Sequence, residues 1–339
     1  MTLLMTLLKS VAALVALSFS AIATAQEREP VPVVATFSIL GDMAERIGGE
    51  HVTVTTLVGP DGDAHVYQPT PAAARAVSEA EILIVNGLEF EGWLDRLAEA
   101  AAFDGALVVA TAGIEPIAFK DEHGHGFDDH GEDHAEGEHD DDHVERHAAN
   151  DGHGPEDHAG HDHGAYDPHA WQSLKNAVIY VDNITSALAK ADPANAAAFY
   201  GNRADFVAEI EALDAEIHAM MAAIPKGART VVTSHDAFQY FGRDYGLTFL
   251  SAQGVSTESE ASAQDVARLI EQMRAEGITA AFVENIADPR LLEQIANETG
   301  AAIGGTLYPG ALSDSDGPAA SYLDMMRHNA TTIAAALGS

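Results

Sequence analysis

The 339-residue chain contains no cysteine at all. A disulfide framework is thereby excluded, and so is a lipid anchor attached through cysteine. Basic residues are scarce too: 17 Lys and Arg stand against 53 Asp and Glu, for a formal net charge of -36. A field of that sign repels nucleic acid and anionic lipid and attracts cations, so no nucleic-acid partner is expected. Long apolar runs are missing beyond the first residues. Lys9 precedes the run from Val11 to Ala23, and Ala23-Thr24-Ala25 offers the small residues that a signal peptidase reads. Residues 1–25 are therefore expected to be a signal peptide cleaved after Ala25, and no later stretch is long enough to span a bilayer. Export without a lipid-carrying cysteine points to the periplasm.

What the chain does have is histidine, 17 in all. Eleven of them fall between Asp121 and His163: His123, His125, His130, His134, His139, His143, His147, His153, His158, His161 and His163. The rest of that segment is largely Asp, Glu and Gly, with no apolar period, so a mobile solvated loop is expected over 121–163. Neutral imidazole is a good ligand for borderline ions such as zinc. An internal, irregular run is unlike a purification tag, and a merely solvating acidic loop has no need of so many imidazoles. The segment reads as an arm that recruits or buffers zinc.

Elsewhere the sequence alternates between strand and helix. Pro32–Phe37, Val52–Val58, Ile82–Val85 and Leu107–Ala110 read as strands, separated by the helical patterns Ile39–Ile47, Pro71–Glu79 and Trp93–Ala101. Thr70-Pro71 has the form of an N-cap followed by proline in the first turn, and Asp167-Pro168 repeats it, which predicts a helix from His169 to about Lys190. A second half, from Thr230 to Leu337, repeats the rhythm. Between the halves, apolar residues at helical spacing from Phe199 to Met220 predict one helix over 193–224, roughly 45 Å long at the standard rise. The expected fold is α/β: two doubly wound lobes, 26–192 and 225–339, joined by that rigid helix, with parallel sheets covered on both faces.

Three histidines share a setting. His65 and His235 lie just past the carboxyl ends of predicted strands, the edge where open α/β sheets bind ligands, and His169 follows directly on the arm. Taken singly, each fits a structural or surface role equally well. The motifs around them go further. Gly62-Asp63-Ala64-His65-Val66-Tyr67-Gln68-Pro69-Thr70-Pro71, Asp167-Pro168-His169-Ala170-Trp171, Ser234-His235-Asp236-Ala237-Phe238, Phe282-Val283-Glu284-Asn285 and the run Ser321 to Asn329 together resemble the metal-binding solute receptors of zinc and manganese ABC transporters. The likeness covers essentially the whole mature chain and is strongest to the zinc-specific periplasmic members of the ZnuA and AztC type.

That resemblance implies a metal held in the cleft between the lobes by His65, His169 and His235, and delivery to a membrane permease. Manganese-selective relatives tend to carry a carboxylate at the third of these positions, so His235 favours zinc. One departure stands out. Gly310 falls where many relatives supply an aspartate as fourth ligand. The candidates for that position are water, Asp314, Asp316, Glu284 or an arm histidine such as His161 or His163, with water or an arm histidine preferred. Asp167 reads first as a helix cap and second as a hydrogen-bond partner of a ligand imidazole. The expected function is a monomeric periplasmic zinc receptor, with a periplasmic zinc chaperone as a further partner. A zinc buffer or chaperone and a manganese receptor are the alternatives. A zinc hydrolase is the remotest reading, since no His-Glu-x-x-His motif or other catalytic signature is present.

Overall fold

The computed structural model describes residues 29–119, 165–258 and 260–338. The signal peptide expected over 1–25 and all eleven histidines of the 121–163 arm lie outside them. Among the described residues no helix is long and apolar enough to cross a membrane.

The first sheet contains β1 (Val31–Phe37), β2 (Val52–Val58), β3 (Ile82–Val85) and β4 (Ala106–Val109), all parallel, in the order β2-β1-β3-β4. β1 and β3 sit centrally and read as near-continuous apolar runs because both faces are covered, whereas edge strand β2 alternates. The second sheet repeats the order: β6 (Thr248–Ser251), β5 (Thr230–Thr233), β7 (Ala280–Glu284) and β8 (Ala302–Leu307), again parallel. In each sheet the chain winds first one way and then the other. A switch point therefore opens between β1 and β3, and another between β5 and β7.

The helices are α1 (Ser38–Gly48), α2 (Pro71–Glu79), α3 (Leu94–Ala101), α4 (Leu174–Ala191), α5 (Ala196–Ala222), α6 (Gln239–Tyr245), α7 (Ala263–Glu276), α8 (Arg290–Thr299) and α9 (Tyr322–Leu337). Thr70 caps α2 by accepting from the Ala73 amide, with Pro71 in the first turn. The similar signal at Asp167-Pro168 does something else. Residues Ala170–Gln172 form a single 3-10 turn, and α4 begins only at Leu174, capped by Ser173, which accepts from the Asn176 amide. The helix expected from His169 thus starts five residues later, because the carboxylate of Asp167 is engaged by His169 itself.

Helix α5 has 27 residues, about 40 Å at 1.5 Å per residue. It packs on α4 and α1 of the first half and on α9 and α6 of the second. The main apolar core is continuous across both halves, running from Phe37 and Ile84 through Tyr180, Phe199 and Ile210 to Phe241, Phe282 and Ile333. A smaller core under α7 and α8 contains Val232, Leu269, Met273 and Ile295. The spine and the shared core hold the carboxyl edges of the two sheets against each other.

Candidate metal centre

Each candidate histidine is placed by the segment that follows a strand or a bridge. His65 lies in the loop after β2, where its amide donates to Asp63 Oδ1 at 2.9 Å. The indole of Trp93 fixes the same loop by donating to the Ala64 carbonyl at 2.8 Å. His169 follows the bridge between Ala118 and Tyr166, where the Asp167 amide donates to the Ile117 carbonyl. His235 comes two residues after β5. One ring nitrogen from each of the three lies within 4.8 Å of the other two, and His65 Nε2 is 3.2 Å from His169 Nε2.

Two of the imidazoles are oriented by buried carboxylates. His169 Nδ1 lies 2.8 Å from Asp167 Oδ1, which also accepts the His169 amide at 2.9 Å. His235 Nδ1 lies 2.5 Å from Glu284 Oε2, while Glu284 Oε1 takes the amides of Ser234 and His235 at 3.0 and 3.2 Å. An N–H at Nδ1 donating to a carboxylate leaves the lone pair on Nε2, the arrangement a metal-binding imidazole needs. Glu284 ends β7 beside the His235 segment, so this pair occupies the switch point of the second sheet.

The opposite switch point carries a network that the sequence reading missed. Glu91 is buried in the turn after β3, where its Oε1 accepts from Thr36 Oγ1 and the Asn86 amide, both at 2.7 Å, and its Oε2 from the Gly87 amide at 3.2 Å. Asn86 Nδ2 donates to the Pro168 carbonyl at 2.9 Å, and Tyr180 donates to Asn86 Oδ1 at 2.6 Å. Tyr240 donates to the Asp167 carbonyl and Tyr322 to that of Trp171, at 2.8 and 2.6 Å. The carbonyls flanking His169 are therefore each held by a buried side chain. Phe90 and Trp171 close the apolar side, with centroids 4.8 Å from the His65 ring and 5.2 Å from the His169 ring respectively. A Glu beside Gly92, between the expected strand Ile82–Val85 and helix Trp93–Ala101, looks exposed in sequence. Only its position after a fully buried strand hinted otherwise.

Burial, and then the neighbouring imidazoles, hold His65 and His169 well below the usual histidine range, so both stay neutral. At His235 burial is the largest influence and opposes the charged form, but the carboxylates of Glu284, Asp63 and Asp236 together outweigh it and raise the ring. Burial pushes Asp167 up to about 7, against the opposing bond from the His169 amide. His235 Nε2 is buried and has no hydrogen-bond partner among the described residues. A buried nitrogen left without a partner is costly unless something else takes its lone pair. A divalent ion does so, and the 3.2 Å between the other two Nε2 atoms matches the roughly 3.3 Å expected for neighbouring corners of a tetrahedron with Zn–N bonds near 2.0–2.1 Å. The donor set fits a borderline metal.

The fourth-ligand candidates fare differently. Glu284 is turned to the far ring nitrogen of His235 and acts as its orienting partner, which corrects its reading as a ligand. Asp314 and Asp316 are exposed in the loop after β8, outside the three-histidine group. His161 and His163 lie outside the described residues. Gly310 is buried, and a Cβ there would meet Trp171 Cζ2 at 3.7 Å and Ile286 Cδ1 at 3.8 Å, ordinary contact distances. A side chain's first carbon is therefore not excluded at this position. Asp167, expected first as a cap, is the partner of the His169 imidazole.

The chain matches the family model described as "Zinc-uptake complex component A periplasmic" over residues 33–336. It belongs to this family. Its members are periplasmic metal-binding receptors of ABC transporters, so the protein is a substrate-binding receptor working with a permease and not an enzyme. It is 31% identical over 306 residues to the iron-binding protein YfeA of Yersinia pestis, covering 90% of this chain and 86% of that protein. To the manganese-binding lipoprotein MntA of Halalkalibacterium halodurans it is 29% identical over 314 residues, covering 93% and 91%. A manganese-bound periplasmic metal-binding protein from candidatus Liberibacter asiaticus superposes with a TM-score of 0.72 at 29% identity, covering 90% of this chain and 98% of that one. The periplasmic zinc-binding protein TroA of Treponema pallidum gives 0.75 at 25% identity, covering 92% and 100%. The relatives thus carry the names of several metals.

Proposed function

We propose that the cargo is zinc, bound by His65, His169 and His235 and delivered to the permease of a zinc ABC transporter. The observation that carries this reading is the donor set: three converging imidazoles, with no carboxylate in the cluster among the described residues. Imidazole suits zinc, whereas manganese favours oxygen donors. The depressed pKa of His65 and His169 supports it further, because a ligand imidazole must be free of its proton; His235, raised by the carboxylates around it, gives up its proton when the metal binds. The fourth position is taken by water or by a histidine of the 121–163 arm, which recruits or buffers zinc. The chain acts as a monomer in the periplasm after cleavage behind Ala25, with lobes over 26–192 and 225–339 joined by the rigid helix over 193–224, and a periplasmic zinc chaperone is its loading partner.

The test is a competition titration of the mature chain with zinc, manganese and ferrous iron. One tight zinc per chain, held far more strongly than manganese, is expected. The relatives named for manganese and iron motivate the opposite outcome, and manganese or iron binding as tightly as zinc overturns the zinc reading. Replacing His169 with alanine must abolish the tight site in either case.

A further inference from the structure

The loop that carries His65 is fastened to the second lobe at three points. The Asp61 amide donates to the Leu312 carbonyl at 2.8 Å, with Asp61 in the left-handed region at φ 51. Asn285 Nδ2 donates to Asp61 Oδ1 at 2.8 Å. Thr257 Oγ1 donates to Asp63 Oδ2 at 2.6 Å. The other oxygen of Asp63, Oδ1, is the one that accepts the His65 amide. A single carboxylate thus bridges the backbone of one candidate ligand and a hydroxyl of the opposite lobe. Thr257 stands in the segment after β6, whose Val255, Ser256 and Glu258 line, with His65 and Tyr67, an open hollow of about 450 Å³ at the edge of the site. Of the three imidazoles, His65 is the least enclosed.

We infer that Asp63 and Thr257 form a clasp that sets how long the metal is retained. Resting on the receptor reading above, this makes both positioning residues and not ligands. A hydrogen bond spanning the lobes is made only while they are together, so it slows the separation that frees the metal and contributes little to capture by separated lobes. A charge-assisted bond of this kind at a half-buried site is strong enough to change a dissociation rate by about tenfold. Because Asp63 also fixes the His65 amide, breaking the Thr257 arm loosens the imidazole that faces the hollow.

The test is a chelator chase of the zinc-loaded full chain followed by stopped-flow. Thr257→Val is expected to release zinc about tenfold faster, with one zinc still bound per chain and an unchanged association rate. Thr257→Ser, which keeps the hydroxyl, is expected to restore the slow release, a rescue that a loss of general packing would not show. Asp63→Asn keeps an acceptor for the His65 amide and an amide group for the Thr257 hydroxyl, so its release stays closer to the parent chain than that of Asp63→Ala. Release from Thr257→Val at the parent rate, or from Thr257→Ser as fast as from the valine variant, overturns the clasp. Failure of the zinc reading shows separately, as weak zinc binding by the parent chain, and the same chase on the manganese-loaded chain then decides the clasp.

Discussion

His169 and His235 come from opposite halves of the molecule yet are held alike, while His65, which touches His169, is held differently from both. His169 and His235 are fully buried, each with Nδ1 against a carboxylate that also takes the amide of the same histidine. Among the described residues the His65 ring meets no carboxylate; it rests against Phe90, and only its backbone is tied, through Asp63. Two imidazoles are therefore oriented before any metal arrives, and the third rides on a loop beside an open hollow. Orientation fixed in advance avoids an ordering cost at binding, whereas a looser third ligand gives the metal a way in and out.

The largest test of that contrast removes the imidazoles. Binding energies of structural zinc sites, spread over four ligands, come to about 3 kcal/mol each, more than a hundredfold in affinity. His169→Ala and His235→Ala should exceed that loss, because each also strands a buried carboxylate. His65→Ala should fall short of it, since water from the hollow can take the vacated position. Chelator competition measures all three, and equal losses would break the comparison.

Next come the carboxylates. Glu284→Gln and Asp167→Asn leave every imidazole in place but weaken its orientation and basicity, and a 10- to 100-fold loss of zinc affinity is expected for each, the range typical of such partners. Asp63→Asn, acting on a backbone amide, should cost less at equilibrium. A Glu284→Gln chain that binds zinc as tightly as its parent would show that the carboxylate is structural only.

The arm provides the third comparison. Deleting 121–163 should leave one tight zinc per chain and remove the weaker excess measured by equilibrium dialysis. In the intact chain that excess should be shed as pH falls below about 6, because imidazoles of ordinary pKa near 6.5 are then protonated. His65 and His169, held well below that range by burial, should remain ligands there. A stoichiometry that does not change between pH 5 and 7 would contradict the assignment of the excess to the arm.

Much of this was legible in the residues. The all-buried strand Ile82–Val85 and the Thr70-Pro71 cap read directly, since period and capping chemistry are local properties. The candidate ligands were visible as histidines past strand ends, but their meeting depends on contacts between residues 66 to 170 positions apart, which only the resemblance supplied. Asp167-Pro168 misled because the same dipeptide opens a helix or holds a ring, and the choice is made by burial. Glu284 stood among the candidates for the fourth position for the same reason: a strand-end carboxylate near a histidine can face the metal or the far ring nitrogen. Glu91 gave almost no signal, since its partners are two backbone amides and a threonine 55 positions away.

The smallest effect carries the contrast away from the metal, to a half-buried carboxylate with no imidazole partner among the described residues. Asp42 on α1 accepts the amide of Tyr322, the first residue of α9, at 2.9 Å. Burial pushes it up to about 6; the Tyr322 bond and Arg46 pull it down, and Glu45 and Asp324 push it further up. Arg46 is shared with Glu209 and lies over the Phe206 ring, so it does not serve Asp42 alone. Because the folded-state value lies above the ordinary aspartate value of 3.8, the folded chain binds the proton more tightly. The stability this contributes is complete below about 3.8 and is lost as pH rises through about 6. At pH 7.5 the site holds a charge that burial disfavours. Asp42→Asn keeps an acceptor for the Tyr322 amide without the charge, so its thermal midpoint at pH 7.5 should rise by about 2–4 °C, and its stability should vary less than the parent's between pH 4 and 6. A midpoint that falls, or an unaltered pH slope, would mean that the Asp42 charge is already compensated at the joint between α1 and α9.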